Sequence, residues 1–168
     1  MIKKAIILCG GTGSRMFPAT KTTNKQLLPV YDKPMFYYPL SLLMLIGIKN
    51  FLFIINKGQK ENFLKSIGST KDLGINIEFK EQSKPNGLPE AFILGEKFIG
   101  KDSVLMILGD NFFYGSMLSS VIKNSLSIKS GANIYLYPSK NTSAYGVVEL
   151  KNNGEINKII EKPTFTKS

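Results

Sequence analysis

The chain has no histidine and no tryptophan, one cysteine and one arginine. Without histidine, Ser-His and Cys-His nucleophilic catalysis is excluded. So are the usual transition-metal centres, which rely on imidazole or on several thiolates. The lone cysteine, Cys9, rules out an internal disulfide and suits a reducing compartment, so a cytoplasmic protein is expected. With no base to activate it, Cys9 reads as a small packing residue rather than a nucleophile. Long apolar runs are also missing. The longest, around residues 40–48, is too short to span a bilayer, and only the four apolar residues Ala5–Leu8 and then Cys9 separate Lys4 from the first glycines. Neither a membrane segment nor a signal peptide is expected. The lysines are scattered, without a basic helix or basic–aromatic interleaving, so no nucleic-acid partner is expected either.

These absences leave open chemistry that runs on fixed charges and Mg²⁺, such as phosphoryl or nucleotidyl transfer. A net charge of +10 suits anionic ligands. At 168 residues, 43% hydrophobic and 20% charged, the chain is long enough for one globular domain with a substantial core.

Arg15 is the only arginine among 22 basic residues, and it closes a glycine-rich stretch, Leu8-Cys9-Gly10-Gly11-Thr12-Gly13-Ser14-Arg15. A guanidinium offers paired donors that match phosphate oxygens, whereas an ammonium is a point charge. Glycines let backbone N–H groups approach an anion without a Cβ in the way. The stretch reads either as a phosphate cradle, which we favour, or as a turn with a surface arginine. The P-loop spacing is absent. So is the dinucleotide fingerprint, since its third glycine would fall on Met16. An NAD-dependent oxidoreductase is therefore disfavoured.

Apolar runs at 4–8, 51–55 and 103–108 read as buried parallel strands, and 75–80 alternates as a half-buried one. Helices are expected over 39–46, 60–67, 88–98 and 117–127, and further strands over 133–137, 146–150 and 155–160. The alternation implies a Rossmann-like three-layer α/β/α fold with an open, mostly parallel, mixed sheet. Such sheets bind ligands beyond the carboxyl ends of their strands. Three polar clusters fall at those ends: the glycine loop, Asn56-Lys57 and Gly109-Asp110-Asn111. Asp110 follows a strongly apolar strand, where a carboxylate needs a partner. We favour Mg²⁺ shared with substrate phosphates over a turn cap. Lys25 and Gln26 precede Pro29 in a segment expected to be extended. There a lysine could reach a phosphate and an amide could read a base edge. Gln82 and Gly87 read first as a turn before a helix, and Glu161-Lys162 as a surface ion pair.

Taken together, these segments resemble a family. Leu8–Arg15, Lys25–Met35 with Tyr37–Leu40, Leu108–Asn111, Tyr145–Glu149 and Glu161–Pro163 are similar to the sugar-phosphate nucleotidylyltransferases, and among these to the glucose-1-phosphate thymidylyltransferases. The resemblance implies that Leu8, Gly10, Gly11, Thr12, Gly13, Ser14 and Arg15 hold the dTTP triphosphate, with Arg15 on the departing pyrophosphate. It implies that Lys25 lies against the phosphates, that Gln26, Gln82 and Gly87 recognise thymine, and that Asp110 binds Mg²⁺. Tyr145, Gly146, Glu161 and Lys162 would hold glucose 1-phosphate, with Glu161 on its hydroxyls and Lys162 on its phosphate. Arg15, Lys25, Asp110 and Lys162 would carry catalysis. The chain departs from the family pattern at Ser83, Asn86 and Pro89, where Pro, Asp and Ala are usual. Family members also continue for over a hundred residues more, with a second metal-binding aspartate, another core strand and much of a homo-oligomer contact. The implied product is dTDP-glucose. A UTP-using relative and a non-catalytic nucleotide-binding module are the alternatives.

Overall fold

The computed structural model describes residues 2–84, 86–127, 130–140 and 142–163. Read from sequence as one domain over 1–168, the chain divides into two compact units, Met1–Lys129 and Ser130–Ser168.

In the first unit, β1 (Lys4–Cys9) is followed by the glycine loop and by a hairpin of β2 (Pro29–Val30) and β3 (Lys33–Pro34). Then come α1 (Tyr37–Leu45), β4 (Asn50–Asn56), α2 (Lys60–Ile67) and β5 (Asn76–Gln82). The unit continues with α3 (Glu90–Leu94), α4 (Glu96–Ile99), β6 (Val104–Leu108) and α5 (Leu118–Ser125). The central sheet has the order β5-β4-β1-β6 and is parallel throughout, with Ile7 opposite both Phe53 and Ile107.

Alternate residues of β1 feed two cores. Ala5, Ile7 and Cys9 face the larger one with Phe53, Phe36, Leu40, Phe63 and Ile122, so α1, α2 and α5 cover this side. Ile6 faces the smaller one with Leu52, Ile54 and Ala91, under α3. Burial on both faces is why β1 and β4 read as continuous apolar runs rather than alternating ones. Phe36, Phe53 and Phe63 form a triangle with ring centroids 5.4, 5.8 and 6.0 Å apart. Each such pair contributes ~0.5–1.5 kcal/mol beyond burial alone. β5 lies at an edge, and its Ile77 and Phe79 pack inward between exposed neighbours.

Three expectations are corrected. The helix foreseen over 88–98 is two short helices, α3 and α4, parted at Gly95. Residues 25–27 are not extended but form a 3-10 turn, because Asn24 caps it by accepting a hydrogen bond from the Gln26 N–H. The segment 133–137 is not a strand. Its apolar and aromatic side chains suit a strand, but only a ladder with a neighbour makes one.

In the second unit, β7 (Gly146–Leu150) and β8 (Ile156–Glu161) form an antiparallel ribbon, with Gly146 opposite Glu161. Among the described residues no helix is long and apolar enough to cross a membrane.

Candidate functional site

The glycine loop leaves β1 at its carboxyl end. Gly11 (φ +102°) and Gly13 (φ +62°) turn it through backbone conformations that side chains resist. Beyond them Ser14–Met16 makes a 3-10 turn, and the Gly13 carbonyl accepts from the Met16 N–H and the Thr20 hydroxyl, each at 2.9 Å. Thr12, Ser14 and Arg15 are exposed along this turn, while Leu8 packs into the smaller core below.

Beneath the loop lies a layer of buried amides. Asn24 donates to the Cys9 carbonyl at 2.9 Å and accepts from the Gln26 N–H at 2.9 Å. Gln26 is only 4% exposed, and its Nε2 lies 3.5 Å from the Gly10 carbonyl. Its Oε1 is buried without a hydrogen-bond partner among the described residues. Leaving such an acceptor unpaired costs ~1–3 kcal/mol, a penalty that a ligand donor would relieve.

Asn56, at the end of β4, donates to the Gly11 carbonyl at 2.7 Å and accepts from the Gly11 N–H at 3.0 Å. Gln82, at the end of β5, donates to the same Asn56 oxygen at 3.4 Å. Its amide lies over Gly10 so closely that a Cβ there would sit 1.7 Å from Gln82 Nε2. Any side chain at position 10 would therefore displace the Gln82 amide.

Asp110 stands just past β6, and Lys25 Nζ meets its Oδ2 at 2.7 Å, with both side chains about 30% exposed (29% and 28%). The other Asp110 oxygen has no hydrogen-bond partner among the described residues. Below, burial first and the Asp110 charge second push the Cys9 thiol well above the usual range, consistent with a packing role. Among the described residues no three His, Cys, Asp or Glu side chains gather as a metal site. Asp110 offers a single carboxylate with one oxygen unpaired among the described residues, the kind of donor that holds Mg²⁺ together with phosphates and water. The donor set does not fit an all-protein metal cage.

The structure thus brings together Gly10–Gly13, Lys25, Gln26, Gln82 and Asp110. Gly87 (φ +95°) is exposed and shares no hydrogen bond with this cluster; next to it, Asn86 donates to the Glu90 carboxylate of α3. In the second unit, Tyr145, Gly146, Glu161 and Lys162 meet at one end of the ribbon. The Lys162 N–H donates to the Tyr145 carbonyl at 3.0 Å, and Glu161 Oε2 would lie 3.2 Å from a Cβ on Gly146. Lys162 holds φ +44°, rare for a non-glycine residue and a form of strain found at functional positions. Its Nζ lies 3.7 Å from Glu161 Oε1, both side chains being exposed.

Sequence reasoning gave no role to Asn24 and none to Asn56 individually. A capping asparagine two residues before Gln26 was a usable signal for the first. The bonds of Asn56 to Gly11 span 45 residues and carry no local signature.

Residues 4–168 match the family model described as nucleotidyl transferase. The chain is 47% identical over 165 residues to the glucose-1-phosphate thymidylyltransferase of Neisseria meningitidis, covering 98% of this chain and 57% of that protein. A Bacillus anthracis crystal structure, provisionally assigned as a glucose-1-phosphate thymidylyltransferase and solved with a sucrose, superposes with a TM-score of 0.89 at 36% identity. That match covers 98% of this chain and 66% of the other. A UDP-glucose pyrophosphorylase complexed with UDP-glucose follows at TM-score 0.74 and 27% identity, covering 97% and 70%. The chain thus spans little more than half the length of the Neisseria relative it matches.

Proposed function

As the chain belongs to the nucleotidyl transferase family, we propose that it serves transfer of a thymidylyl group from dTTP to glucose 1-phosphate, giving dTDP-glucose and pyrophosphate. One observation carries the reading: the glycine loop, two buried glutamine amides and the Lys25–Asp110 pair converge at the carboxyl ends of β1, β5 and β6. That edge is where an open α/β sheet binds ligands. The thymidylyl donor and the sugar phosphate are carried over from the Neisseria relative's name.

The chemistry suits a chain without histidine. A phosphate oxygen of glucose 1-phosphate is already anionic, so it attacks the α-phosphorus of dTTP without a base. The bond from that phosphorus to the bridging β-phosphate oxygen breaks, and pyrophosphate leaves with the negative charge. Catalysis then reduces to alignment and to screening of two mutually repelling anions. The loop N–H groups and Arg15 take the triphosphate, and Arg15 stabilises the departing pyrophosphate with paired donors. Lys25 holds the Asp110 carboxylate and brings an ammonium to the phosphates. Gln26 and Gln82 offer amides to the polar edge of the base, with Gly87 beside it. Tyr145, Gly146, Glu161 and Lys162 are assigned to glucose 1-phosphate.

Asp110 would hold Mg²⁺, with phosphates and water completing its shell. Bound there, the ion would neutralise charge on the phosphoryl oxygens. A cytoplasmic setting suits one buried thiol and nucleotide substrates. Self-association is also proposed, because Tyr114, Met117 and Val121 stay largely exposed. Light scattering that shows a monodisperse monomer would remove it.

The deciding experiment is pyrophosphate release from dTTP, glucose 1-phosphate and Mg²⁺, with UTP alongside. Release favouring dTTP is expected. Release favouring UTP would move the chain to the uridylyl branch. No release, with dTTP still bound, would leave a nucleotide-binding module.

A further inference from the structure

We propose that Asn56 is a positioning residue that sets the orientation of the Gln82 amide and so selects pyrimidines whose ring N3 carries a proton. The inference rests on the nucleotide reading above and adds a determinant of base choice.

The argument starts from backbone groups that cannot exchange roles. The Gly11 N–H can only donate and its carbonyl can only accept. Asn56 answers both at once, with Oδ1 3.0 Å from the nitrogen and Nδ2 2.7 Å from the oxygen. Turning the Asn56 amide by 180° would set donor against donor and acceptor against acceptor. Its orientation is therefore fixed, and Oδ1 has one lone pair left. Gln82 Nε2 approaches that lone pair at 3.4 Å. The bond is long, yet its sense is set, because the reversed Gln82 amide would place oxygen against oxygen.

The consequence is a relay from Gly11 through Asn56 to Gln82. Gln82 is 6% exposed and lies over Gly10. With its nitrogen held, its Oε1 has no partner among the described residues and stands as an acceptor. Uracil and thymine present N3–H to such a group. Cytosine presents a bare N3 at the same edge and would meet oxygen lone pairs. Without Asn56, the Gln82 amide is free to turn and serve either base.

The test is calorimetric binding of dTTP and dCTP to the wild type, Asn56→Ala and Asn56→Asp. Asn56→Ala should lower the dTTP-to-dCTP preference about tenfold, the size of one hydrogen bond made or misaligned. Asn56→Asp keeps an acceptor for Gln82 Nε2. It should weaken both nucleotides, through repulsion at the Gly11 carbonyl, while keeping their ratio. Equal loss for both nucleotides in both variants would mean a merely structural role and would overturn the proposal. A second readout needs no ligand: the Gln82 side-chain amide protons, followed by NMR in the free protein, should exchange faster in Asn56→Ala than in the wild type. Unchanged exchange overturns the relay. Asn56→Ser replaces the alanine variant if that does not fold. If the wild type bound neither nucleotide, the functional reading would fail, and the amide exchange would still decide the relay.

Discussion

Replacing Gly10 by alanine separates the stability of the loop from its recognition role. Gly10 does not hold a positive φ, so alanine brings no backbone strain. The new methyl would sit 1.7 Å from Gln82 Nε2 and 2.4 Å from Gln82 Cδ. Carbon and nitrogen need roughly 3.5 Å, so the amide must retreat by about 2 Å. The atoms that give way are the end of a flexible side chain. The stability cost should therefore stay near the ~1 kcal/mol of the one hydrogen bond lost, to Asn56. Binding should suffer more, because the displaced amide no longer meets the base. A missing partner for a buried base edge costs ~1–3 kcal/mol, or about 5- to 150-fold in Kd. The assay is calorimetric titration of dTTP into the wild type, Gly10→Ala, Gln82→Ala and the double variant, with melting curves alongside. If the methyl acts through Gln82, the double variant binds no worse than the weaker single one. Additive losses, or wild-type affinity in Gly10→Ala, would refute the reasoning.

Three further outcomes are expected. Asp110→Asn should cut Mg²⁺-dependent pyrophosphate release by ~10²-fold or more, since the single carboxylate of the cluster is lost; a wild-type rate would remove Asp110 from the mechanism. Arg15→Lys should cost ~10²-fold through loss of the paired donors, with charge retained, and a rate unchanged in the same assay would show that charge alone suffices. Cys9 should resist thiol reagents in the native state and react only on unfolding, because its raised pKa keeps it protonated. The same shift is a stability contribution, present below the ordinary thiol value of 9.0 and lost as pH climbs through the raised folded value. Native labelling at the rate of a free thiol, or melting temperatures that do not fall above pH 9, would contradict the burial argument.

Three of the four central strands, β1, β4 and β6, were legible because strands buried on both faces must be apolar throughout, and those at 51–55 and 103–108 came within two residues of β4 and β6. The edge strand β5 was legible for the opposite reason, since only one side of it packs inward. Local signals failed where a neighbour decides. Residues 133–137 have the side chains of a strand without forming one, and residues 25–27 turn because Asn24 caps them.

For the site, residue types and their order along the chain determined which groups are present: a glycine loop with one arginine, amides, and Asp110 beyond an apolar strand. They also determined the family, whose model matches residues 4–168. Only the tertiary structure decided that Lys25 reaches Asp110 across 85 positions, or that Gln82 needs the bare backbone of Gly10. The same holds for Asn56, which reads both peptide groups of Gly11. Composition and periodicity act over one or two turns of chain. These contacts exist because parallel strands bring distant carboxyl ends to one edge, and no local pattern encodes which side chains meet there.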